Sequence, residues 1–143
     1  MNLALARFTR GVLILSLFPL WGCGKQVVDG RPALVKVSGT VFHNHEPCSE
    51  ARVVFAPKNH SYAATAKTDS QGKFTLQTFD PEDGAVPGEY HVAVSKFEVI
   101  DLPGGGIKET FLLPQKYRNA RLSGLTAAIP AGGTDDIRIE LND

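Results

Sequence analysis

The feature that most constrains the fold of this chain is an alternation of apolar and polar residues, in two runs between Thr68 and Val94. A period of two predicts β-strands with one buried and one wet face. In the turn before the first run, Asp69 can accept hydrogen bonds from its own backbone, and Gly72 tolerates a positive φ. Gly88 opens the second run. The residues expected to point inward are Phe74, Leu76, Thr78, Tyr90, Val92 and Val94.

Similar short runs, separated by Gly and Pro, recur along the chain. About seven short strands separated by turns are typical of an all-β, antiparallel, immunoglobulin-like β-sandwich, here over residues 34–143. Gly39 in the first strand predicts a β-bulge or a close backbone approach. The strands are expected at residues 34–42, 51–56, 62–67, 73–78, 89–95, 125–129 and 136–141, with a short helical turn at 115–119.

Residues 97–113 show no clean period. Pro103 and the three glycines after it predict a long mobile connection there. This loop and the acidic loop at 79–87 are therefore candidate functional regions, since function is often carried by loops.

The first 22 residues have the order of a signal peptide that is cleaved before Cys23. Arg7 and Arg10 precede an apolar run at 11–20, which is shorter than a membrane span and is broken by Pro19. The sequence LWGC resembles the lipobox of bacterial lipoproteins, except that Trp21 replaces a small residue. An ordinary secretory leader or a transmembrane anchor is the alternative.

Lipidation would make Cys23 the anchor and residues 23–33 a tether between the bilayer and the domain. We then expect a protein on the periplasmic or cell-surface side of a bacterial envelope. Gly24 is not the aspartate that retains some lipoproteins in the inner membrane, which favours the outer membrane. Cys48 would have no partner for a disulfide, and its setting favours a small buried hydrophobic residue over a reactive thiol.

The charge balance disfavours nucleic acid as a partner. The chain has 15 basic and 15 acidic residues, and loss of Arg7 and Arg10 with the leader leaves a net charge of about −2 with both signs interspersed.

Four short motifs follow one another along the chain: VSGTVF, EARVVFAP, TDSQGKFTLQT and PGEYHVAVSK. Their order resembles the carboxypeptidase regulatory-like domain, and in particular the small bacterial lipoproteins of that type. The resemblance implies a transthyretin-like β-sandwich without a peptidase site, and we expect no cofactor. The matching residues are Gly39, Val41, Thr68, Asp69, Gly72, Phe74, Gly88, Tyr90, Val92, Val94, Leu113, Pro114, Lys116, Tyr117, Ser123, Gly124, Leu125 and Thr126.

Three sets of residues are weak candidates for ligand binding. His43 and His45, with His60 or His91, could bind a divalent metal if the strand end is extended. Asp80, Glu82 and Asp83 could bind calcium, although solvated turns explain both sets better. Tyr62, Phe111 and Tyr117 could form an aromatic platform for sugars, and core packing is the alternative.

No nucleophile elbow, HExxH motif or phosphate-binding loop is found in the sequence. We therefore expect a membrane-anchored, non-enzymatic envelope lipoprotein that acts as a structural, adhesion or protein-binding module. Its partners would be the lipid bilayer, through Cys23, and an envelope protein or glycan. The alternative is a carbohydrate-binding or metal-binding envelope protein.

Overall fold

A computed structural model describes residues 30–143, so the predicted leader and most of the predicted tether, including Cys23, lie outside the described residues. Over this range the protein is all-β, with ten strands and one 3₁₀ helix (Gln115–Arg118). The strands are β1 (Val37–His43), β2 (Glu46–Pro47), β3 (Arg52–Pro57), β4 (Ala64–Lys67), β5 (Lys73–Thr75), β6 (Gly88–Ser95), β7 (Phe97–Leu102), β8 (Gly106–Phe111), β9 (Thr126–Ile129) and β10 (Thr134–Leu141). The expected number of strands, about seven, is too low, because the sequence pattern does not predict β2, β7 and β8.

The first sheet is built around β1, and it is not wholly antiparallel. Strands β2 and β5 pair antiparallel with one edge of β1, but β10 pairs with the other edge in parallel. The expectation of a purely antiparallel arrangement is therefore wrong. The alternation of apolar and polar residues shows which face of a strand is buried. It does not show whether the strand runs parallel or antiparallel to its neighbour. β10 reaches β1 only after the chain has passed through the second sheet, and parallel pairs require such long connections.

The second sheet has the order β4–β3–β6–β9, and all of its pairs are antiparallel. A bridge between Thr65 and Gln77 connects it to the first sheet, through two backbone hydrogen bonds of 2.8 and 2.9 Å. The inner faces of both sheets contribute to one apolar core. In its centre, the ring of Phe55 lies 6.1 Å from that of Phe74 and 5.7 Å from that of Tyr90.

At Gly39, the register of β1 against β10 shifts between Val37 and Gly39, while the alternation of buried residues along β1 continues. A Cβ atom at Gly39 would overlap the carbonyl oxygen of Ile137 and lie 2.8 Å from the Phe74 ring. Both the predicted bulge and the predicted close approach are confirmed. The extra residue of the bulge lies in β10, and only glycine at position 39 leaves room for β10 to approach β1 this closely.

Residues 97–111 form a β-hairpin, so the prediction of a long mobile connection is wrong. Strands β7 and β8 pair from Phe97 opposite Phe111 to Leu102 opposite Gly106. Pro103 and Gly104 provide the tight turn, in which Gly104 has a φ of 106° and the amide of Gly105 donates to Leu102. Apolar residues occur on both faces of the hairpin, and this hides the period of two.

No helix within residues 30–143 is long and apolar enough to span a bilayer.

Candidate functional site

The turn before β5 is held by Asp69. Its Oδ1 accepts hydrogen bonds from the backbone amides of Gln71 (2.8 Å) and Lys73 (2.9 Å). Gly72 has a φ of 74°, and a Cβ atom there would lie 2.6 Å from the carbonyl oxygen of Val41. These contacts close the turn and dock it on β1, so the carboxylate of Asp69 acts locally as a cap.

The other residues of the same motif lie in the core or next to it. Phe74 is 3% exposed, and Tyr90 is fully buried. The Tyr90 hydroxyl donates to the carbonyl of Val86 at 2.6 Å, and burial raises its pKa to about 12. Gly88 starts β6 beside the ring of His60. We see packing and turn geometry at these positions rather than a reactive group.

His43 and His45 do not lie side by side on an extended strand. Asn44 and His45 have positive φ values of 49° and 69° and form the two-residue turn between β1 and β2. Nε2 of His43 lies 2.9 Å from Oδ1 of Asp143, while Nδ1 of His45 lies 3.9 Å from Oε2 of Glu140. The predicted extended geometry is therefore wrong.

Hydrogen bonds from Asn44 and His43 lower the pKa of Asp143 from its ordinary value. Within residues 30–143, no group of three or more His, Cys, Asp or Glu side chains is arranged to hold a metal ion. The four histidines and the acidic loop all lie within these residues.

In the acidic loop, Asp83 is an internal cap. Its two carboxylate oxygens accept hydrogen bonds of 2.7–2.9 Å from the backbone amides of residues 78–80. Partial burial would raise the pKa of Asp83, but these amide donors outweigh it and hold the pKa below its ordinary value. The Asp80 carboxylate pairs with Arg31 at 3.3 Å, and the Glu82 backbone carbonyl accepts from the Lys36 ammonium. The loop thus uses its acidic residues to hold its own shape and to contact the N-terminal end of the domain.

Cys48 is buried and makes no disulfide within the described residues. Its carbonyl accepts a 2.6 Å hydrogen bond from the hydroxyl of Thr68, and burial raises the pKa of its thiol despite the nearby Lys96. A protonated, enclosed thiol is a poor nucleophile.

The three aromatic residues expected to form a platform are separated. Tyr117 is buried, and its hydroxyl exchanges hydrogen bonds with the backbone of Asn142. The Tyr62 ring packs edge-on against Phe79, with centroids 5.7 Å apart. The Phe111 ring packs against Phe97 in the hairpin. The expected platform of Tyr62, Phe111 and Tyr117 is therefore wrong.

A polar groove of about 1060 Å³ lies where the first sheet meets the second. Ligand pockets usually have volumes of about 300–1,000 Å³, so this groove is large enough for an extended ligand. Phe97, at the base of the hairpin, forms part of its rim. Sequence reasoning missed the groove because its walls come from six strands, and from loops between strands, that are far apart in the chain. The walls carry Ser38, Thr40, Glu50, Arg52, Thr65, Lys67, Asp69, Lys73, Thr75, Gln77, Glu82, Ser95 and Asp135.

The charges in the groove are only partly neutralised. Lys67 forms an ion pair with Glu50 across the rim. Arg52 and Lys73 form no ion pair with any described residue. Together with the hydroxyl groups, these two cations give the groove hydrogen-bond donors, and the carboxylates of Asp69, Glu82 and Asp135 in the same lining give it acceptors for a polar ligand.

The β7–β8 hairpin is the main exposed apolar feature of the described chain. Val99 is 52% exposed and Ile107 is 66% exposed, and the remaining large apolar side chains of the hairpin are also exposed. At its base, the guanidinium of Arg118 covers the Phe111 ring at 4.0 Å. A Pro-Gly pair between FEVIDL and GIKETF was the sequence signal that could have predicted this hairpin.

The N-terminal end of the domain and the hairpin lie at opposite ends of β6. Arg31 pairs with Asp80 and covers the ring of Phe79 at 4.9 Å, and Phe79 packs on Tyr62. Tyr62 packs on His60, which contacts Tyr90 at the start of β6. Strand β6 then runs for eight residues, roughly 23 Å, before the hairpin begins.

Comparison with known proteins does not identify a family. No family model and no curated protein matches the chain. Among solved structures, it is similar to part of a 9R-lipoxygenase from Cyanothece PCC8801, with 15% sequence identity and a TM-score of 0.38. The match covers 85% of this chain, which spans 18% of the lipoxygenase chain. A likeness this distant carries no argument about fold or activity.

Proposed function

We propose that this protein is a lipid-anchored, non-enzymatic envelope protein whose domain presents a protein-binding hairpin away from the membrane. The domain would be a transthyretin-like β-sandwich of the carboxypeptidase regulatory-like type, in keeping with the motifs in its sequence. The observation that carries the proposal is the placement of the N-terminal segment and the β7–β8 hairpin at opposite ends of β6.

The anchor would be a diacylglycerol group on Cys23 after cleavage of residues 1–22. Cys23 precedes Gly30 by seven residues, which span at most about 25 Å when extended. The domain end that contains Arg31 would therefore stay close to the bilayer. Two or more acyl chains give a stable attachment, whereas one chain gives only a marginal one.

The protein-binding role rests on the exposed apolar surface of the hairpin. Scattered apolar residues on a surface are ordinary, but contiguous patches commonly mark interaction sites. The hairpin adds unpaired strand edges to such a patch, and these edges allow a partner strand to bind through its backbone. Its distal position would leave this surface free of the membrane.

Incorporation of labelled palmitate in a bacterial host tests the anchor. The full chain and a Cys48→Ala variant should both incorporate the label and fractionate with membranes. A Cys23→Ala variant should incorporate none. Cys48→Ala is the matched control because it removes the other cysteine of the chain. Equal labelling of the three proteins, or labelling of none, would refute the lipid anchor.

Ligand binding in the polar groove is a second candidate function. The observation that favours it is the presence of Arg52 and Lys73 beside a row of hydroxyl groups. Because the groove is lined by three basic and four acidic side chains, the ligand class would be an extended, uncharged glycan. In a glycan array, Lys73→Ala should lose binding, and Lys108→Ala, on the hairpin, should retain it. A blank array for the unmodified chain would remove this candidate, and elemental analysis of the same sample would decide the metal-binding alternative.

A further inference from the structure

The β7–β8 hairpin has strand edges and faces that the described chain does not cover. All of its strand residues are exposed except Thr110, which is half-buried, and neither strand pairs with a third strand. The apolar residues Phe97 and Val99 lie on one face of the hairpin, and Ile100 and Leu102 lie on the other face. A two-stranded ribbon alone is only marginally stable in water, and an open edge is a template for another strand.

The ladder shows which backbone groups of β7 point to the open edge. The amide of Leu112 donates to the carbonyl of Lys96 at 2.8 Å, one step beyond the last pair of the hairpin. Hydrogen-bonded and non-hydrogen-bonded pairs alternate in an antiparallel ladder. The even-numbered residues of β7 therefore bond to β8, and Phe97, Val99 and Asp101 direct their N–H and C=O groups outward.

These three residues suit pairing with a second copy of the same strand. A two-fold axis perpendicular to the sheet, placed at Val99, sets Val99 opposite Val99 of the second copy and Phe97 opposite Asp101 of the second copy. All the outward backbone groups of Phe97, Val99 and Asp101 then find partners. No two like charges are directly opposite in this register.

The edge of β8 does not suit the same arrangement. A two-fold axis near the middle of β8 falls on Lys108 or on Glu109. With the axis at Lys108, the Lys108 side chains of the two copies are directly opposite each other. With the axis at Glu109, the two Glu109 side chains are directly opposite each other. Like charges in that position destabilise a strand pair. The charge pattern therefore selects β7 over β8.

We propose that the chain forms a two-fold dimer through the edge of β7, with the two hairpins joined as one four-stranded antiparallel sheet. This inference rests on the proposed protein-binding role of the hairpin and names its partner as a second copy of the chain. Because the hairpins join far from the N-terminal ends, the dimer does not depend on the lipid.

Disulfide trapping tests the register. All variants are made in the full chain with Cys23→Ser and are purified in mild detergent. Each variant then has two thiols, the buried Cys48 and one introduced cysteine. Val99→Cys should form a disulfide-linked dimer, because opposite Cα atoms of a hydrogen-bonded pair are about 5.5 Å apart. Glu109→Cys is the matched control, since residue 109 faces residue 99 within the same hairpin, and it should stay monomeric.

Light scattering provides a second measurement that needs no added thiol. The Cys23→Ser chain should show twice the monomer mass, and Val99→Lys should show the monomer mass while it remains folded by circular dichroism. A monomeric Cys23→Ser chain, or equal cross-linking at positions 99 and 109, would overturn the dimer. Palmitate labelling of the unmodified chain would be unaffected, so failure of the dimer is distinguishable from failure of the lipid anchor.

Discussion

Gly39 of β1 lies so close to Ile137 of β10 that no side chain fits between the two strands. A Cβ atom on Gly39 would lie 2.8 Å from the Cβ atom of Ile137 and would overlap its carbonyl oxygen. The contact falls at the bulge in the parallel β1–β10 pair. The parallel pairing of the first and last strands therefore depends on this one glycine.

Gly39→Ala should destabilise the protein by about 1–3 kcal/mol, because an added methyl group must push the strands apart. Urea unfolding followed by circular dichroism measures the effect. Gly132→Ala is the matched control, since a Cβ atom there meets no heavy atom within 4 Å. Equal stability of the two variants would mean that β1 and β10 can separate freely.

Phe74→Ala should destabilise the protein by about 3–5 kcal/mol, the usual cost of truncating a buried aromatic residue. Phe74 is 3% exposed and packs against Phe55 and Gly39. The comparison variant is Phe79→Ala. Because Phe79 is 38% exposed, its truncation should lower the free energy of unfolding much less. An unchanged unfolding midpoint for Phe74→Ala would contradict the placement of this ring in the core.

Stability should depend on the ionisation of Asp83. Its pKa in the folded protein is lowered, so the carboxylate contributes stability above its unfolded pKa. That contribution is lost as the pH falls through the folded pKa. Urea unfolding between neutral and acidic pH should show this loss in the unmodified chain and a smaller one in Asp83→Asn.

At neutral pH, Asp83→Asn should cost about 1–3 kcal/mol, because the amide nitrogen cannot accept from the backbone donors of residues 78–80. Asp135→Asn is the matched control, since Asp135 is exposed. If both variants show the same pH profile as the unmodified chain, Asp83 does not cap the loop.

Cys48 should be unreactive in the folded protein. Burial both covers the thiol and raises its pKa, and thiolate is the reactive form. A maleimide reagent at neutral pH should label Cys48 only after denaturation, with peptide mass spectrometry locating the label. Rapid labelling of Cys48 under native conditions would show that the turn before β3 opens.

Local pattern predicted much of the fold because period-two alternation directly reports which face of a strand is buried. Tyr90, Val92 and Val94 are inward as expected, and Gly39 marks the bulge. Alternation failed in the β7–β8 hairpin, where apolar residues occur on both faces. The Pro103-Gly104 pair is a local turn signal, but the same residues are also typical of flexible loops, so the pair alone does not predict a hairpin.

The candidate sites were less predictable because each depended on distant residues or on backbone geometry. The positive φ of Asn44 and His45 removes the extended geometry assumed for a metal site. Tyr117 is buried in the core, where its hydroxyl donates to the backbone carbonyl of Asn142. Tyr117 therefore does not lie beside Tyr62 on the surface. No spacing along the chain reports either effect.

The amino-acid sequence by itself determined the all-β class, the Asp69 turn and the inward faces of most strands, because these follow from local backbone preferences and the burial of alternate side chains. Tertiary structure alone decided the parallel pairing of β1 with β10, the groove between the sheets and the placement of the hairpin opposite the N-terminal end. These features depend on which strands meet across long stretches of chain, and that choice is made by packing of the whole core.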